Sequence, residues 1–401
     1  MKITFISNYI NHHQIPLCDA LYKLLGDDFN FIQCIDMEEE RAQMGWGVDL
    51  NEYPYVSVYS QRESFCKYMI KSSDVLMLGW SSVPEIDEMV LEAGCPVLRL
   101  SERIYREGQW KAISPKGLKN KYHEHIKYRN SQVYLLCAGA YVASDFNLIH
   151  AYPGKKYRWG YFPPTMELSE DELREKFARK KDSEAAVELM WAGRFITLKH
   201  PEFAVRAVAD LTKLGKKVHL TMIGDGELLE DMKKLAADSG VSDKITFRGG
   251  LLPAEVRAKM LWADIYLFTS NYLEGWGAVV NEAMNAACAV VASREAGCVP
   301  YLIEDGVNGF AYNGGKYENM LEKLLRLVED ADLTETFGRN AYDTIMDTWN
   351  AENAAEALLR FCKGLSDGNG PQPEAEGPLS IAPVIKPPAA IRTFQEDNHL
   401  Q

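Results

Sequence analysis

The chain is predicted to be an α/β protein built from two doubly wound domains. Short apolar runs typical of buried strands alternate with amphipathic helical segments, and this order predicts parallel sheets covered on both faces. The same rhythm occurs on both sides of a charged stretch at residues 167–184. With 401 residues, the chain is also too long for one ordinary hydrophobic core. Two domains of similar architecture are therefore expected.

The first half carries the signals of one such domain. Strands are predicted at residues 3–6, 29–34, 75–78 and 96–100, followed by a strand at either 133–136 or 141–143. Helices are predicted between them at residues 16–25, 65–71, 85–93 and 118–129. Pro16 suits the first turn of a helix, and Gly26 suits its end. We assign residues 1–165 to this domain.

The second half repeats the pattern. Strands are predicted at residues 187–192, 218–223, 245–247, 265–269, 289–292 and 310–312. Pro201 and Pro253 are placed for the first turns of two intervening helices. The expected order after residue 165 is a linker with a short helix at 166–184, a second domain at 185–345, an amphipathic helix within 346–365 and a tail at 366–401. The tail is rich in Pro and Gly and has few large apolar residues, so disorder is expected.

The composition excludes several classes of protein. The formal net charge of −13 argues against general nucleic-acid binding. No apolar run is long enough to span a bilayer, and Met1 leads directly into a predicted strand, so no signal peptide is expected. The eight cysteines are scattered and are typical of reduced thiols. A cytoplasmic protein is therefore expected.

Two glutamates follow the strand predicted at residues 265–269. Glu274 lies in the loop at the carboxyl end of that strand, and Glu282 lies early on the next helix. Ligands of open α/β sheets bind at this edge, and a helix N-terminus offers free N–H groups to an anion. Gly275 and Gly277 allow the backbone to approach a ligand closely. Two carboxylates suit the hydroxyls of a polyol, and the turn between them suits a phosphate.

Two cations follow the first strand of the second domain. Gly193 allows a tight turn there, and Arg194 and Lys199 flank the start of the next helix. An anionic group that gains negative charge during a reaction needs such groups. Arginine can hold a phosphate with two donors, and lysine supplies a point charge. The alternative is a solvated basic loop.

The glutamate pair resembles the E-x7-E motif of retaining glycosyltransferases with the GT-B fold. Glu274-Gly-Trp-Gly and Asn281-Glu-Ala-Met resemble glycosyltransferase family 4, including bacterial enzymes of surface-polysaccharide assembly. The resemblance covers about residues 1–365 and is specific in the second half only. It implies two Rossmann-like domains facing a cleft, with the last helix, within 346–365, crossing back onto the first domain. It also implies that Glu274 contacts donor-sugar hydroxyls, that Glu282 binds the ribose, and that Arg194 and Lys199 hold the diphosphate.

The same resemblance extends to other loops of the second half. Gly224 and Gly226 resemble a G-x-G turn beside the nucleotide, and Arg248 lies in an F-x-G segment whose loop borders the base. An exposed arginine without a ligand is the alternative for Arg248. The remaining residues assigned to the donor are Gly193, Gly275, Trp276, Gly277 and Ala278. The segment from Gly297 to Tyr301 departs from the G-G-x-x-E that is usual in the family.

Two candidates lie in the first domain. His12 lies where many family members carry a glycine-rich loop, and it could contact donor phosphate or acceptor; an ordinary surface or helix-capping histidine is the alternative. Glu102 follows the strand at 96–100, where the resemblance implies a polar residue facing the reactive carbon. A salt bridge to Arg103 or Arg106 is the alternative. His12 and its neighbour His13 do not share a face, and no divalent metal or other cofactor is expected.

A basic segment between residues 110 and 129 stands out in an acidic protein. Its cations are interleaved with apolar and aromatic residues: Lys111, Lys116, Lys119, Lys121, Lys127 and Arg129 with Trp110, Leu118, Tyr122, Ile126 and Tyr128. It could rest on anionic lipids of the inner membrane surface, or it could be a solvated helix face.

The expected activity is transfer of a sugar, with retention, from a nucleoside diphosphate sugar to a glycan or lipid-linked acceptor. A cytoplasmic enzyme, peripheral on the cytoplasmic face of the membrane if the basic segment binds lipid, would suit this activity. The alternatives are a sugar-nucleotide epimerase with the same fold and a non-catalytic nucleotide-sugar-binding module.

Overall fold

A computed structural model describes residues 1–37, 47–179 and 185–388. The chain divides into two compact units. Unit 1 combines Met1–Pro164 with the end of the chain from Thr348, and unit 2 is Thr165–Asp347. Each unit has its own parallel sheet and its own helices.

Unit 1 contains a seven-stranded parallel sheet. Its strands are β1 (Ile3–Ser7), β2 (Phe29–Gln33), β3 (Val56–Val58), β4 (Val75–Leu78), β5 (Val97–Ser101), β6 (Val133–Ala138) and β7 (Lys156–Trp159). The strand order is β3-β2-β1-β4-β5-β6-β7. Ile3 of β1 therefore aligns with Phe29 of β2 on one side and Val75 of β4 on the other. The order reverses between β1 and β4, which makes that pair the switch point of the sheet.

The helices of unit 1 follow these strands and cover the sheet. The first five are α1 (Ile15–Leu25), α2 (Glu63–Ser72), α3 (Pro84–Leu91), α4 (Pro115–Glu124) and α5 (Val142–Leu148). The open choice for the last strand is resolved in favour of residues 133–136, because residues 141–143 run into α5. Val142 and Ala143 are fully buried there, so their apolar character reflects burial and not an extended conformation. The short strands β3 and β7 had no sequence-based prediction.

Unit 2 contains a six-stranded parallel sheet. Its strands are β8 (Val187–Ala192), β9 (Val218–Ile223), β10 (Ile245–Phe247), β11 (Ile265–Phe268), β12 (Ala289–Ser293) and β13 (Phe310–Tyr312). The order is β10-β9-β8-β11-β12-β13, so the switch point lies between β8 and β11. The strands match the predicted ones closely, because each is a buried apolar run between turn residues.

The helices of unit 2 begin in the predicted linker. They are α6 (Glu170–Ala178), α7 (Pro201–Lys213), α8 (Leu229–Asp238), α9 (Pro253–Met260), α10 (Val279–Asn285), α11 (Val299–Leu302), α12 (Tyr317–Glu329) and α13 (Ala331–Asp347). A capping box of Ser169 and Glu172 starts α6. The buried Lys176 Nζ then donates to the carbonyl oxygens of Met260 and Ala263, at 3.2 and 2.7 Å, which ties α6 to the end of α9. Residues 180–184 of the linker lie outside the described residues.

The last helix and the tail belong to unit 1. Helix α14 (Ala351–Ser366) packs against α1. The expected disorder from residue 366 onward was wrong for residues 366–388. Leu379 N donates to Arg158 O of β7, and Arg158 N donates to Ser380 O, both at 2.8 Å. An edge strand has free backbone groups that composition does not reveal, and the tail satisfies them. Residues 389–401 lie outside the described residues.

Among the residues that the structure describes, no helix is long and apolar enough to cross a membrane.

Candidate functional site

The carboxyl ends of four neighbouring strands of unit 2 carry most of the predicted site residues. These ends share one edge of the sheet, because all the strands are parallel. In strand order the residues are Arg248 after β10, Gly224 and Gly226 after β9, Gly193, Arg194 and Lys199 after β8, and Glu274 after β11. The switch point between β8 and β11 lies in the middle of this group. A parallel sheet of this kind binds its ligands at such a place.

Lys199 and Glu274 form an ion pair at the switch point. Lys199 Nζ donates to Glu274 Oε2, and the two side chains are only 17% and 16% exposed. The loops that carry them are also joined through their backbones. Asn271 N donates to Leu198 O at 2.9 Å, and Thr269 Oγ1 donates to Lys199 O at 2.5 Å. An ammonium and a carboxylate are thus held side by side on a fixed frame.

Arg194 occupies the other end of the loop that carries Lys199. Its neighbour Phe195 is fully buried and anchors the loop, whereas Arg194 is exposed. Two cations in one loop can hold an anionic group such as a diphosphate. By contrast, the described part of the chain contains no cluster of three His, Cys, Asp or Glu side chains that could hold a metal ion.

Gly224 and Gly226 are required by the way two loops pack. A Cβ on Gly224 would lie 1.9 Å from Gly193 O, and one on Gly226 would lie 2.6 Å from Phe195 O. Both glycines also have positive φ, at 133° and 147°. The two predicted glycines after β9 therefore have a structural explanation that does not depend on a ligand, whereas a Cβ on Gly193 would make an ordinary contact of 3.5 Å with the Trp191 ring. Their tight packing brings the two loops together at the carboxyl edge.

The turn between the two predicted glutamates is supported from inside by Trp276. The indole is 1% exposed, and its Nε1 donates to Asn281 Oδ1 at 2.9 Å. The indole is therefore enclosed by the protein, and the predicted contact of Trp276 with the donor stays a prediction. Gly277 has φ of 94°, and a Cβ there would lie 2.6 Å from Phe268 Cζ. Ala278 then leads into α10.

The neighbouring Gly275 is buried in the same turn. Arg248 is exposed beyond β10 and lines a cavity of about 460 Å³ together with His219 and Lys259. Neither its exposure nor this cavity tests a contact with a base, so the predicted contact of Arg248 stays a prediction.

Glu282 is buried in the first turn of α10 and is paired with an arginine that the sequence analysis did not identify. Arg257 Nη1 lies 3.2 Å from Glu282 Oε1, and the two side chains are 15% and 10% exposed. Burial raises the pKa of Glu282 above its ordinary value, and Arg257 partly opposes the shift. Arg257 lies on α9, and no motif in the sequence marks it. Only the packing of α9 near α10 brings the two residues together.

Glu102 lies at the carboxyl edge of the sheet in unit 1, directly after β5. Its Oε1 accepts a hydrogen bond of 2.6 Å from Tyr161 OH, and its Oε2 accepts one from Arg106. Of the two predicted salt-bridge partners, Arg106 is therefore the actual one, since Arg103 pairs with the buried Asp145 at 3.1 Å. Tyr161 was missed because it follows β7, a strand that the sequence did not reveal.

His12 lies in the loop after β1 and is half-buried. Its ring centroid is 3.9 Å from that of His13, and the His13 ring stacks on Tyr161 with centroids 6.0 Å apart and planes at 10°. The two predicted residues of unit 1, His12 and Glu102, are thus connected through His13 and Tyr161. Three loops that follow different strands meet in this cluster.

Residues 170–344 match the family of glycosyl transferases group 1. Over 200 residues the chain is 31% identical to an uncharacterised glycosyltransferase of Methanocaldococcus jannaschii, a match that covers 49% of each protein. Over 177 residues it is 26% identical to the GDP-mannose-dependent alpha-(1-6)-phosphatidylinositol monomannoside mannosyltransferase of Mycobacterium tuberculosis. That match covers 43% of this chain and 46% of the relative. The chain thus spans about half the length of these curated relatives.

The crystal structure of Anabaena Alr3699/HepE in complex with UDP resembles this chain over a greater length. The TM-score is 0.68 at 16% identity, and the match covers 91% of this chain and 100% of that one. At this identity the likeness concerns the fold alone, and it extends over strands of both units. The chain therefore has the GT-B fold, and its residues 170–344 match the family of glycosyl transferases group 1.

Proposed function

We propose that the protein is a retaining glycosyltransferase that moves a sugar from a nucleoside diphosphate sugar to a glycan or lipid-linked acceptor. The observation that supports this most is the ion pair of Lys199 and Glu274 at the switch point of unit 2. A nucleoside diphosphate sugar presents hydroxyls and a diphosphate next to each other. A carboxylate beside an ammonium complements that pair of groups.

The side chains would divide the donor among them. Glu274 would accept hydrogen bonds from sugar hydroxyls, and Glu282 would accept them from the ribose. Lys199 and Arg194 would stabilise the diphosphate as the bond to the sugar breaks and negative charge builds on the departing oxygen. The acceptor oxygen forms the new bond to the same sugar carbon, and its proton passes to the leaving diphosphate. No metal ion or organic cofactor is proposed.

The proposal is tested by thermal unfolding with a panel of nucleoside diphosphate sugars, followed by transfer assays with the donors that bind. A donor at about 100 times its Kd should stabilise the protein by ~2.7 kcal/mol. NMR of the product should show the anomeric configuration of the donor. An inverted anomer would contradict the proposed mechanism. Conversion of the free donor into its epimer would instead indicate an epimerase, and binding without any turnover would indicate a binding module.

We further propose that a surface of unit 1 contacts anionic lipid. This lipid surface consists of exposed apolar residues with two exposed lysines among them: Trp110, Ile113, Leu118 and Tyr122, which are 43%, 81%, 37% and 52% exposed, with Lys116 and Lys119. Helix α4, which carries part of it, buries none of its residues. Apolar side chains beside lysines suit the boundary between acyl chains and anionic headgroups. Such contact would bring the protein to a lipid-linked acceptor.

Reversing both charges, with Lys116→Glu and Lys119→Glu in one protein, is expected to weaken binding to anionic vesicles about tenfold or more. Each lysine near such a surface contributes ~1 kcal/mol. Co-sedimentation with vesicles of neutral phosphatidylcholine, with and without phosphatidylglycerol, measures the effect. The matched control is Lys233→Glu with Lys234→Glu, two exposed lysines on α8. The lipid surface would be refuted if the Lys116/Lys119 variant bound anionic vesicles as well as the Lys233/Lys234 control. It would also be refuted if the unmodified protein showed no preference for anionic over neutral vesicles.

A further inference from the structure

A tryptophan projects into solvent at the switch point of unit 1. Trp80 lies two residues after the end of β4 and is 74% exposed. The neighbouring strand in the sheet is β1, and the strand order reverses between the two. A crevice between the loops of two such strands is the place where ligands of parallel sheets bind. A large aromatic side chain that is exposed at this position therefore indicates contact with a ligand.

The turn that carries Trp80 is held in place. Trp80 O accepts a hydrogen bond of 2.6 Å from Asn8 N, which follows β1. On the other side, the buried Ser81 Oγ donates to Asp87 Oδ1 at 2.6 Å and accepts from Val83 N at 2.9 Å. Ser82 has φ of 63°, a left-handed conformation that is unfavourable for a residue other than glycine. The turn that carries the indole is thus strained but fixed by hydrogen bonds. Because its backbone is already ordered, a ligand contact with the indole would cost less conformational entropy.

The side chains of Ser7, Asn8 and Gln14, on the β1 side of this turn, carry neutral hydroxyl and amide groups. Gln14 Nε2 donates to Ser7 Oγ at 3.3 Å, and Ser7 Oγ donates to Asn8 Oδ1 at 3.2 Å. The ends of β1 and β4 lie close together, since a Cβ on Gly79 would lie 2.8 Å from Ser7 Oγ. The buried Gln14 Oε1 has no hydrogen-bond partner among the described residues. A buried acceptor without a donor is unfavourable, and a ligand hydroxyl would satisfy it.

We propose that Trp80 is the stacking platform of a saccharide subsite in unit 1 that takes a pyranose ring of the acceptor. The C–H face of a pyranose packs on an aromatic face, and its hydroxyls exchange hydrogen bonds with amides such as those of Asn8 and Gln14. Neutral partners suit a neutral polyol better than a phosphate or a carboxylate. That the saccharide is the acceptor rests on the proposed function. The subsite itself rests on Trp80 and its surroundings.

The binding of sugars to Trp80 can be observed directly by NMR. The chain has eight tryptophans, so ¹⁵N-labelled protein has eight indole N–H signals, and Trp80→Phe identifies the one that belongs to Trp80. The probes are methyl α- and β-pyranosides of glucose, galactose, mannose and N-acetylglucosamine. We expect at least one pyranoside to shift the Trp80 signal in a saturable way. The control is Trp262 of unit 2, which is 64% exposed and is identified through Trp262→Phe. If no pyranoside moves the Trp80 signal, or if both signals move alike, the subsite is refuted.

A second measurement separates the subsite from the donor site. Trp80→Ala should weaken the binding of the responding pyranoside about threefold to tenfold, the usual range for loss of an aromatic contact. Its affinity for UDP and GDP, measured by calorimetry, should equal that of the unmodified protein, and Trp262→Ala should change neither quantity. Loss of nucleotide affinity together with pyranoside affinity would overturn the proposal, because Trp80 would then serve the donor or the fold.

The two proposals fail in different ways. If no nucleoside diphosphate sugar of the panel binds while a pyranoside still shifts the Trp80 signal, the proposed glycosyl transfer fails and the subsite stands. If a nucleotide binds and sugar is transferred while Trp80 does not respond, the subsite alone fails. Loss of vesicle binding in Trp80→Ala without any response to pyranosides would identify Trp80 as a lipid contact and would likewise overturn the subsite.

Discussion

Replacing Lys199 by alanine is expected to lower kcat at saturating donor by about 10²–10³-fold, the usual effect of losing one donor that stabilises a developing anion. The leaving oxygen carries more negative charge in the transition state than in the bound donor. An ammonium beside it therefore stabilises the transition state more, and its loss lowers kcat instead of only raising KM. Arg194→Ala should act in the same direction, since both cations are proposed to hold the diphosphate.

The ion pair with Glu274 makes a control for indirect effects necessary. Without Lys199, a carboxylate that is only 16% exposed loses this ion pair, and the loop after β11 could move. Lys199→Arg keeps the charge and should retain more activity than Lys199→Ala. Lys213→Ala removes a lysine that is 73% exposed on α7 and should leave kcat unchanged. A normal kcat with a raised KM in Lys199→Ala would show that the lysine only docks the donor.

Replacing Glu282 by alanine is expected to weaken nucleoside diphosphate binding about 10- to 100-fold, because a hydrogen bond to a charged group contributes ~1.5–3 kcal/mol. The ribose would lose a carboxylate acceptor at the start of α10. Calorimetric titration with UDP and GDP measures the change. Glu282→Gln keeps one acceptor oxygen and should lose less affinity.

Two comparisons decide whether Glu282 acts through the ribose. The variant and the unmodified protein should bind a 2′,3′-dideoxyribose diphosphate with similar affinity, because that nucleotide has no hydroxyls to donate. Arg257→Met removes the partner of Glu282 while leaving the carboxylate in place. Two results would refute the ribose contact: Arg257→Met loses as much nucleotide affinity as Glu282→Ala, or Glu282→Ala also binds the dideoxy nucleotide 10-fold or more weakly. In either case the ion pair of Arg257 and Glu282, and not the ribose contact, would account for the loss of affinity.

The buried position of Glu282 also predicts how binding and folding respond to pH. Since burial raises the pKa of Glu282, the ionised form is disfavoured in the folded state. Its contribution to the free energy of unfolding is therefore fully present below the pKa of an unfolded glutamate and is lost as the pH rises through the raised folded value. The affinity for the ribose should instead increase as the pH rises, because the ionised carboxylate is the form that accepts its hydrogen bonds. Glu282→Gln should remove this part of both pH dependences.

The strands and the donor loops were predictable because their signals are local. A buried parallel strand is a short apolar run, so β1, β4, β8, β9, β11 and β12 could be identified one at a time. The local sequence around Glu274 and Glu282 places the first on a loop and the second on a helix, without information from distant parts of the chain. The same holds for Arg194 and Lys199 after β8. The sequence by itself thus determined the two α/β units and the edge of the sheet that carries the predicted donor residues.

Tertiary structure decided which side chains are partners, because partners far apart in the chain leave no pattern in the sequence. Tyr161 reaches Glu102 only because β5 and β7 belong to the same sheet, and Arg257 reaches Glu282 only because α9 lies near α10. Residues 366–388 of the tail are ordered because the edge of β7 offers hydrogen bonds to them, although their composition favours disorder. Burial decided that Trp276 supports a turn, whereas Trp80 meets solvent. Hydrophobicity is the same for both indoles, and only the packing around them separates one role from the other.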